Sequence, residues 1–503
     1  MFDLLVMGFS VVLSPQTLIL IFFGIFIGCL FGALPGVSAT MAIALGIPFT
    51  IGMDAVSAIA FLVAVYCSSI TGGGMTAILF KIPGVPSSAP ATYDGFPMAE
   101  RGEAGKALGI QLVCSAIGGI VAAIAMILLS PQLTQAAIAF GPAELFAIAF
   151  MGLSILTSLE TDNICRTVIS GLMGLILAMI GLDPLLGVPR LTFGSGLLLS
   201  GIQMIPVMIG CFAVTEVLKQ TAKRTSLNSV GDTKQMKTTM PRISEIWGVK
   251  WVLARSSVLG TVVGILPGAG ATIAAFMAYS TEQKLSKTPE KFGTGCIDGL
   301  AAPEAANNAA AGGAMVPLLT LGIPGGSAAA IMMSAMTIRG VAMGPMLLVN
   351  QPEFLGATFA SMMIANVLMV FAAMIIARIF VQILKIPYSI LGPTIIMMAT
   401  IGAFSTRNLA VDVMVMAIAG LAGFLFVLCK FNITALILGL VLGVIVESNL
   451  RRAFTIAQGG NIFEVAVNVF ARPVTGILML ISLLVLISPV LKPQLQKLRK
   501  KAS

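Results

Sequence analysis

The 503-residue chain contains no histidine. Ser-His-Asp hydrolysis, the Ser-His dyad of intramembrane serine proteases, His-ligated haem and histidine proton relays are thereby excluded. Charge is scarce: 10% of residues are Asp, Glu, Lys or Arg, against about 25% in soluble domains. The seven cysteines (Cys29, Cys67, Cys114, Cys165, Cys211, Cys296 and Cys429) are scattered without a C-x-x-C pair. Neither a disulfide framework nor a zinc site is expected from them, and small apolar filler is the expected role. No G-x-x-x-x-G-K-[ST] occurs, since Gly102-Glu103-Ala104-Gly105-Lys106 lacks the spacing, so the chain does not itself power transport by ATP hydrolysis. An intramembrane aspartyl protease needs aspartates within its spans, whereas Tyr93-Asp94 lies in a Pro/Gly/polar loop with no G-x-G-D partner. The chain is therefore not expected to be an enzyme. Met1 to Ser14 carries an acidic residue and no basic one, unlike a cleaved signal peptide.

What is present is apolar. Hydrophobic residues make up 58% of the chain, and there are 53 glycines, which let helices approach closely in lipid. With roughly 20 apolar residues needed per helical crossing, the chain has material for ten or more. Apolar runs, uncharged except for Arg255, include Leu18–Leu34, Ala55–Phe80, Ala107–Leu129, Trp251–Ala278, Ala309–Ile338, Phe354–Ile376 and Val474–Val490. The formal charge is 29 − 20 = +9. Much of it falls in the polar stretch 219–250 and in a C-terminal Lys/Arg tail, which the positive-inside rule places in the cytoplasm; nucleic acid is a poor reading of it. The expected organisation is a first transmembrane repeat over 1–218, a basic cytoplasmic linker over 219–250, a second repeat over 251–450, and a C-terminal membrane segment and tail over 451–503. The expected fold class is an all-α polytopic membrane protein of two homologous, inverted repeats with broken or re-entrant helices. About 10–14 segments would span or half-span the bilayer.

The repeat rests on three collinear blocks. At an offset of 260 − 28 = 232, Gly28-x3-Gly32-x-Leu34-Pro35-Gly36-x2-Ala39-Thr40-x-Ala42 matches Gly260-x3-Gly264-x-Leu266-Pro267-Gly268-x2-Ala271-Thr272-x-Ala274. Gly72-Gly73-Gly74-Met75 followed by Ile82-Pro83-Gly84 matches Gly312-Gly313-Ala314-Met315 followed by Ile323-Pro324-Gly325. Thr92-x-Asp94-Gly95-x2-Met98 stands beside Thr337-x-Arg339-Gly340-x2-Met343. Gly/Pro-interrupted hydrophobic segments at matching positions of two halves point to a transporter's substrate site. Proline removes a backbone donor and glycine permits unusual angles, and the freed polar groups are tolerated in a bilayer only where they face protein or water. Such groups can ligate a cation, and a helix N-terminus suits an anion. Gly28, Gly32, Gly260 and Gly264 read as close helix packing. Pro35-Gly36 and Pro267-Gly268 read either as binding-site breaks or as structural kinks. Ser38, Thr40, Gly270 and Thr272 follow them, at new helix starts.

Pro303-Glu304-Ala-Ala-Asn307-Asn308 leads into an apolar stretch. A carboxylate beside two carboxamides there defaults to function, as cation ligands or substrate donors. The plainer reading is a helix start with Glu304 in the first turn. Ser68, Ser69 and Thr71 hold the corresponding place in the first repeat. Lys81 and Arg339 read either as anion-attracting or as interfacial. The candidate substrate-binding set is therefore Pro35, Gly36, Ser38, Thr40, Thr71, Gly72, Gly73, Pro83 and Gly84 in the first half. In the second half it is Pro267, Gly268, Gly270, Thr272, Asn307, Asn308, Pro324, Gly325 and Ser327. Glu304, Asn307 and Asn308 are the candidate ligands of a coupling cation, Na⁺ or H⁺; no other cofactor is expected.

At these blocks the sequence resembles the large membrane subunits (TctA) of the tripartite tricarboxylate transporter family. The resemblance is carried by Gly32-Ala-Leu-Pro35-Gly36, Thr71-Gly72-Gly73-Gly74, Ile82-Pro83-Gly84-Val-Pro86 and Tyr93-Asp94-Gly95-Phe-Pro97-Met98. In the second half it rests on Gly264-Ile-Leu-Pro267-Gly268-Ala-Gly270, Ala302-Pro303-Glu304-Ala-Ala-Asn307-Asn308 and Leu321-Gly322-Ile323-Pro324-Gly325. It implies a multi-pass permease of the bacterial inner membrane. It further implies a small membrane subunit, a periplasmic solute-binding protein that delivers a di- or tricarboxylate (citrate in the namesake systems), and uptake driven by an ion gradient. A stand-alone carboxylate permease or channel, and an intramembrane enzyme or lipid-handling scaffold, are the competing readings.

Overall fold

The computed structural model describes residues 2–34, 37–159, 164–183, 186–223, 239–268, 270–383, 388–457 and 462–502. Pro35, Gly36 and residues 224–238 of the basic stretch lie outside the described residues. The first part of the chain forms α1 (Phe2–Val12), α2 (Pro15–Ala33), α3 (Ala39–Gly46), α4 (Ala55–Phe80), α5 (Ala91–Met98) and α6 (Ala104–Ile138). Next come α7 (Pro142–Leu159), α8 (Ile164–Ala178), a two-residue hairpin β1 (Gly181–Leu182) and β2 (Pro189–Arg190), then α9 (Met204–Ile209) and α10 (Thr215–Lys223). After the basic stretch follow α11 (Ile243–Gly248), α12 (Lys250–Ile265), α13 (Gly270–Leu285), α14 (Ile297–Leu321), α15 (Ser327–Ile338), α16 (Leu347–Asn350) and α17 (Pro352–Ile383). The chain closes with α18 (Tyr388–Phe404), α19 (Ala410–Leu428), α20 (Ile433–Ile456), α21 (Ile462–Phe470) and α22 (Pro473–Ala502).

Among the described residues seven helices are long and apolar enough to cross a membrane, α2, α4, α17, α19 and α20 among them. The molecule is thus an all-α, multi-pass membrane protein. α14 is not one of the seven, yet it is buried from Gly299 to Thr320. A helix surrounded by protein needs small residues for contact, and hydropathy does not register it.

Helix starts follow the local chemistry. Ser14 caps α2 with Pro15 behind it, Asp54 Oδ2 accepts from Ser57 N (3.0 Å), and Asn432 Oδ1 accepts from Ala435 N at the start of α20 (3.0 Å). The chain's two tryptophans, Trp247 and Trp251, are 68% and 66% exposed where α11 meets α12, with Lys250 Nζ 4.4 Å from the Trp247 ring. An amphipathic indole pair beside a lysine suits a membrane–water boundary.

Two helical hairpins hold the centre. α2 runs to Ala33 and α3 returns, so that Phe49, just beyond α3, lies 5.5 Å from Phe23 of α2 between ring centroids. α12 and α13 likewise fold back, because Arg255 early in α12 pairs with Glu282 late in α13 (Nε to Oε1, 2.9 Å). Each first arm packs on the long helix that follows. A Cβ on Gly32 would stand 1.9 Å from Ser69 O of α4, and one on Gly264 would stand 2.3 Å from Ala310 O of α14. Gly28 and Gly260 meet the same two helices, at Val65 and Ala306, so close packing is their role.

The ends are fixed by contacts between the halves. Arg339, beyond α15, donates to Thr50 O (2.5 Å) ahead of α4. At the other end Asp94 of α5 accepts from the Gly293, Gly295 and Cys296 N–H groups ahead of α14 (2.8–3.1 Å). α2 and α4 therefore begin at the Thr50 end, and α12 and α14 begin at the Asp94 end.

The run Ala309–Ile338 is cut at Pro324-Gly325 into two helices, as expected, with the break over 322–326. Three expectations change. Tyr93-Asp94, expected in a loop, lies on α5. Glu304 sits seven residues past the first residue of α14, whose first-turn acid is Asp298, so the helix-start reading of Glu304 fails. Of the cysteines, Cys29, Cys67, Cys114 and Cys211 are buried filler, but Cys165 and Cys429 are exposed and Cys296 Sγ accepts from Gly299 N as the cap of α14.

Candidate functional site

Four interruptions of helix line one cavity of about 580 Å³. The start of α3 contributes Ser38 and Thr40, and the loop after α4 contributes Pro83 and Gly84. The start of α13 adds Gly268, Gly270 and Thr272, and the start of α15 adds Gly326 and Ser327. The rest of the wall comes from α4 (Tyr66, Ile70), from α10 with the π turn before it (Cys211, Thr215, Glu216, Lys219) and from the α19–α20 corner (Val427, Ile433).

The breaks after α4 and α14 are built alike. α4 ends at Lys81 in the left-handed region (φ 59°) and α14 at Gly322 (φ 70°), and each is followed by Ile-Pro-Gly. Gly84 N donates to Gly73 O (3.2 Å), and an added Cβ there would lie 2.1 Å from Gly32 O. An added Cβ on Gly325 would lie 2.6 Å from Ala314 Cα and 2.8 Å from Gly264 O. These contacts make Gly73 the counterpart of Ala314 (314 − 73 = 241), one residue away from the Gly73–Gly313 match read in the sequence. The two second-half breaks also touch directly, Gly268 N donating to Gly325 O (3.0 Å).

The cavity's electrostatics come from main chain. α3, α13, α15 and α20 all present their first residues to it. A helix start carries up to four N–H groups without intrahelical acceptors and a positive dipole end. Ser38 Oγ accepts from Met41 N (3.1 Å) at α3, and no side chain caps α15. Among the described residues lining the cavity, Lys219 is the one with a cationic side chain. Its Nζ is 3.0 Å from Glu216 Oε2, so the pair adds little net charge. Such a wall offers hydrogen-bond donors of the kind that suit an anion.

The other sequence candidates lie elsewhere. Thr71, Gly72, Gly73, Glu304, Asn307 and Asn308 form a buried layer behind the cavity. Pro267 is buried facing Gly152 of α7, and Pro324 and Gly325 sit behind Gly326. Pro35 and Gly36 lie outside the described residues, although α2 ends at Ala33 and α3 begins at Ala39, on either side of them. Lys81 and Arg339 do not line the cavity; Lys81 Nζ lies 5.2 Å from the Phe96 ring.

Two groups escaped the sequence reading. Gln111 and Ser115, one turn apart on α6, reach Glu304: Ser115 Oγ donates to Glu304 Oε2 (2.9 Å) and Gln111 Nε2 donates to Thr71 O (2.7 Å) and Glu304 Oε2 (3.4 Å). The signal was an i, i+4 polar pair inside an otherwise apolar run. Glu216 and Lys219 were hidden at the edge of the basic stretch, whose first residues continue α10.

The profile of the Tripartite tricarboxylate transporter TctA family matches residues 18–438. An Agrobacterium vitis protein described as an uncharacterized 52.8 kDa protein in the TAR-I ttuC' 3' region is 35% identical over 460 residues, 90% of each chain. Another from the same organism, an uncharacterized protein in the TAR-II ttuC' 3' region, is 40% identical over 200 residues, 40% of this chain and 83% of that one. No solved structure matches the chain.

Proposed function

The chain belongs to the tripartite tricarboxylate transporter TctA family, and from that premise we propose that it carries a di- or tricarboxylate, citrate-like anion across the bacterial inner membrane. The observation that carries this reading is the meeting of four helix starts on one cavity whose wall is almost free of net side-chain charge. Carboxylates of the substrate accept from the N–H groups of α3, α13 and α15, while Ser38, Thr40, Thr272 and Ser327 add hydroxyls. The two halves act as inverted repeats, a reading supported by hairpins that begin at opposite ends and by tips that share the cavity. Alternating access then moves the hairpins against α9–α10 and α19–α20. A small membrane subunit and a periplasmic solute-binding protein complete the system, and an Na⁺ or H⁺ gradient drives it.

Proteoliposomes holding the chain with both partners test this. Gradient-dependent uptake of a polycarboxylate is the expected result, and none across a broad panel overturns the proposal. Uptake without the partners favours a stand-alone permease. Ser38→Ala removes a helix cap worth about 1 kcal/mol. Transport KM should rise about fivefold to tenfold, with membrane insertion unchanged. An unaltered KM removes α3 from the binding surface.

A further inference from the structure

Behind the cavity, α4, α6 and α14 enclose polar side chains that do not satisfy one another. Glu304 is fully buried and forms no ion pair among the described residues. Its Oε2 accepts from Ser115 and Gln111, while its Oε1 has no partner. Gln111 uses its amide hydrogens on Thr71 O and Glu304, and its Oε1 is also without one. Asn308 Nδ2 donates to Thr71 Oγ1 (3.1 Å) and Asn307 Oδ1 (3.4 Å), which leaves Asn308 Oδ1 unpartnered. Gly74 lets the side chains in, since a Cβ there would stand 2.4 Å from Gln111 Nε2 and 2.7 Å from Glu304 Oε1.

We infer that this group binds one Na⁺-sized monovalent cation through Glu304 Oε1, Gln111 Oε1 and Asn308 Oδ1. All three atoms are hard oxygen acceptors, the ligand type of alkali and alkaline-earth ions. The site carries one carboxylate and therefore one negative charge, which a single positive charge neutralises, and an uncompensated buried charge is costly. A proton on Glu304 supplies one donor and leaves two of the three oxygens unmatched, whereas a cation is coordinated directly by oxygen lone pairs, and the three side chains gather around Thr71 and Gly74. Asn307 Nδ2 donates to Ser87 O (3.5 Å) in the cavity wall, and Thr71 follows the wall residue Ile70. Occupancy thereby bears on the substrate cavity. That role in uptake rests on the transport reading, whereas the binding does not.

The test uses the purified full chain in lipid nanodiscs without substrate. Its thermal-unfolding midpoint is followed against NaCl, with choline chloride holding ionic strength, at pH 6 and pH 8, and with KCl in parallel. The expected result is a saturable, Na⁺-specific rise, as for any ligand of the native state. Glu304→Gln should abolish the rise, and Gln111→Leu and Asn308→Ala should weaken the apparent affinity about tenfold or more. Three outcomes overturn the inference: no Na⁺-specific rise in the unsubstituted chain, a rise of wild-type affinity in Gln111→Leu, or its full reproduction by acid in Na⁺-free buffer. Should Glu304→Gln fail to fold, the Gln111→Leu and Asn308→Ala titrations decide. Na⁺ binding without carboxylate uptake leaves this site standing while the transport reading falls. Uptake with no Na⁺ effect does the reverse.

Discussion

Gly84→Ala should cut uptake more than tenfold and destabilise the protein by about 2–3 kcal/mol, and Gly325→Ala should do nearly the same. A Cβ at Gly84 would be 2.1 Å from Gly32 O, 2.9 Å from Gly73 Cα and 3.0 Å from Ala33 Cα. All three are backbone atoms of helices that are themselves packed, so nothing can swing aside as a flexible side chain would. Relief requires the loop after α4 to lift off the end of α2, and that loop is one wall of the cavity. At Gly325 the obstruction is Ala314 Cα at 2.6 Å and Gly264 O at 2.8 Å, and displacement there also breaks the bond that Gly268 N makes to Gly325 O. Gly248, with nothing within 4 Å of an added Cβ, is the control, and Gly248→Ala should transport normally. Uptake assays and thermal unfolding of the three variants check this. Wild-type uptake by Gly84→Ala would show that the loop tolerates displacement and that its packing is not what shapes the cavity.

Asp94→Ala is expected to destabilise by about 3–5 kcal/mol. The carboxylate is fully buried and gathers four donors: Gly293 N, Gly295 N, Cys296 N and the Tyr279 hydroxyl (3.0 Å). Charge-assisted bonds of this kind are about twice as strong as neutral ones. They tie α5 of the first half to the segment that launches α14, and Arg101 clamps the same segment through Thr294 O (2.9 Å) and Gly295 O (2.7 Å). Asp94→Asn keeps one acceptor oxygen but turns an amide toward the donors, so its loss should be intermediate. Limited proteolysis between Thr288 and Cys296, read beside the unfolding midpoint, separates local release from global failure. If Asp94→Ala unfolds at the wild-type midpoint with no new cleavage, the staple has no structural weight.

The helix breaks were legible because proline and glycine leave a mark that hydropathy does not erase: Pro267-Gly268 and Pro324-Gly325 interrupt runs that otherwise read as continuous. The packing role of Gly28, Gly32, Gly260 and Gly264 was legible too, since four-residue spacing puts each pair on one face. What stayed hidden depends on tertiary partners. Gln111 meets Glu304 across 193 residues, and nothing near Gln111 in the chain announces a carboxylate. Asp94 read as an ordinary loop residue because its four donors come from 185 to 202 positions away. Lys219 was assigned to the basic stretch by composition, although its helix extends past it to line the cavity. The match between the two glycine clusters also shifted by one: residue identity set Gly73 beside Gly313, whereas the contacts of Gly84 with Gly73 and of Gly325 with Ala314 set Gly73 beside Ala314.

Since the cavity presents amide hydrogens more than functional side chains, a point substitution such as Ser38→Ala reaches the wall through a single cap and leaves most of its donors in place. Exchanging Ser38, Thr272 or Ser327 alters a hydroxyl but leaves the peptide groups of α3, α13 and α15 in place. Retuning such a wall requires shifting whole helix starts, a coarse adjustment. Under the proposed function, discrimination among acidic solutes then falls to the solute-binding partner, and the membrane chain stays a generic conduit while its suppliers diversify.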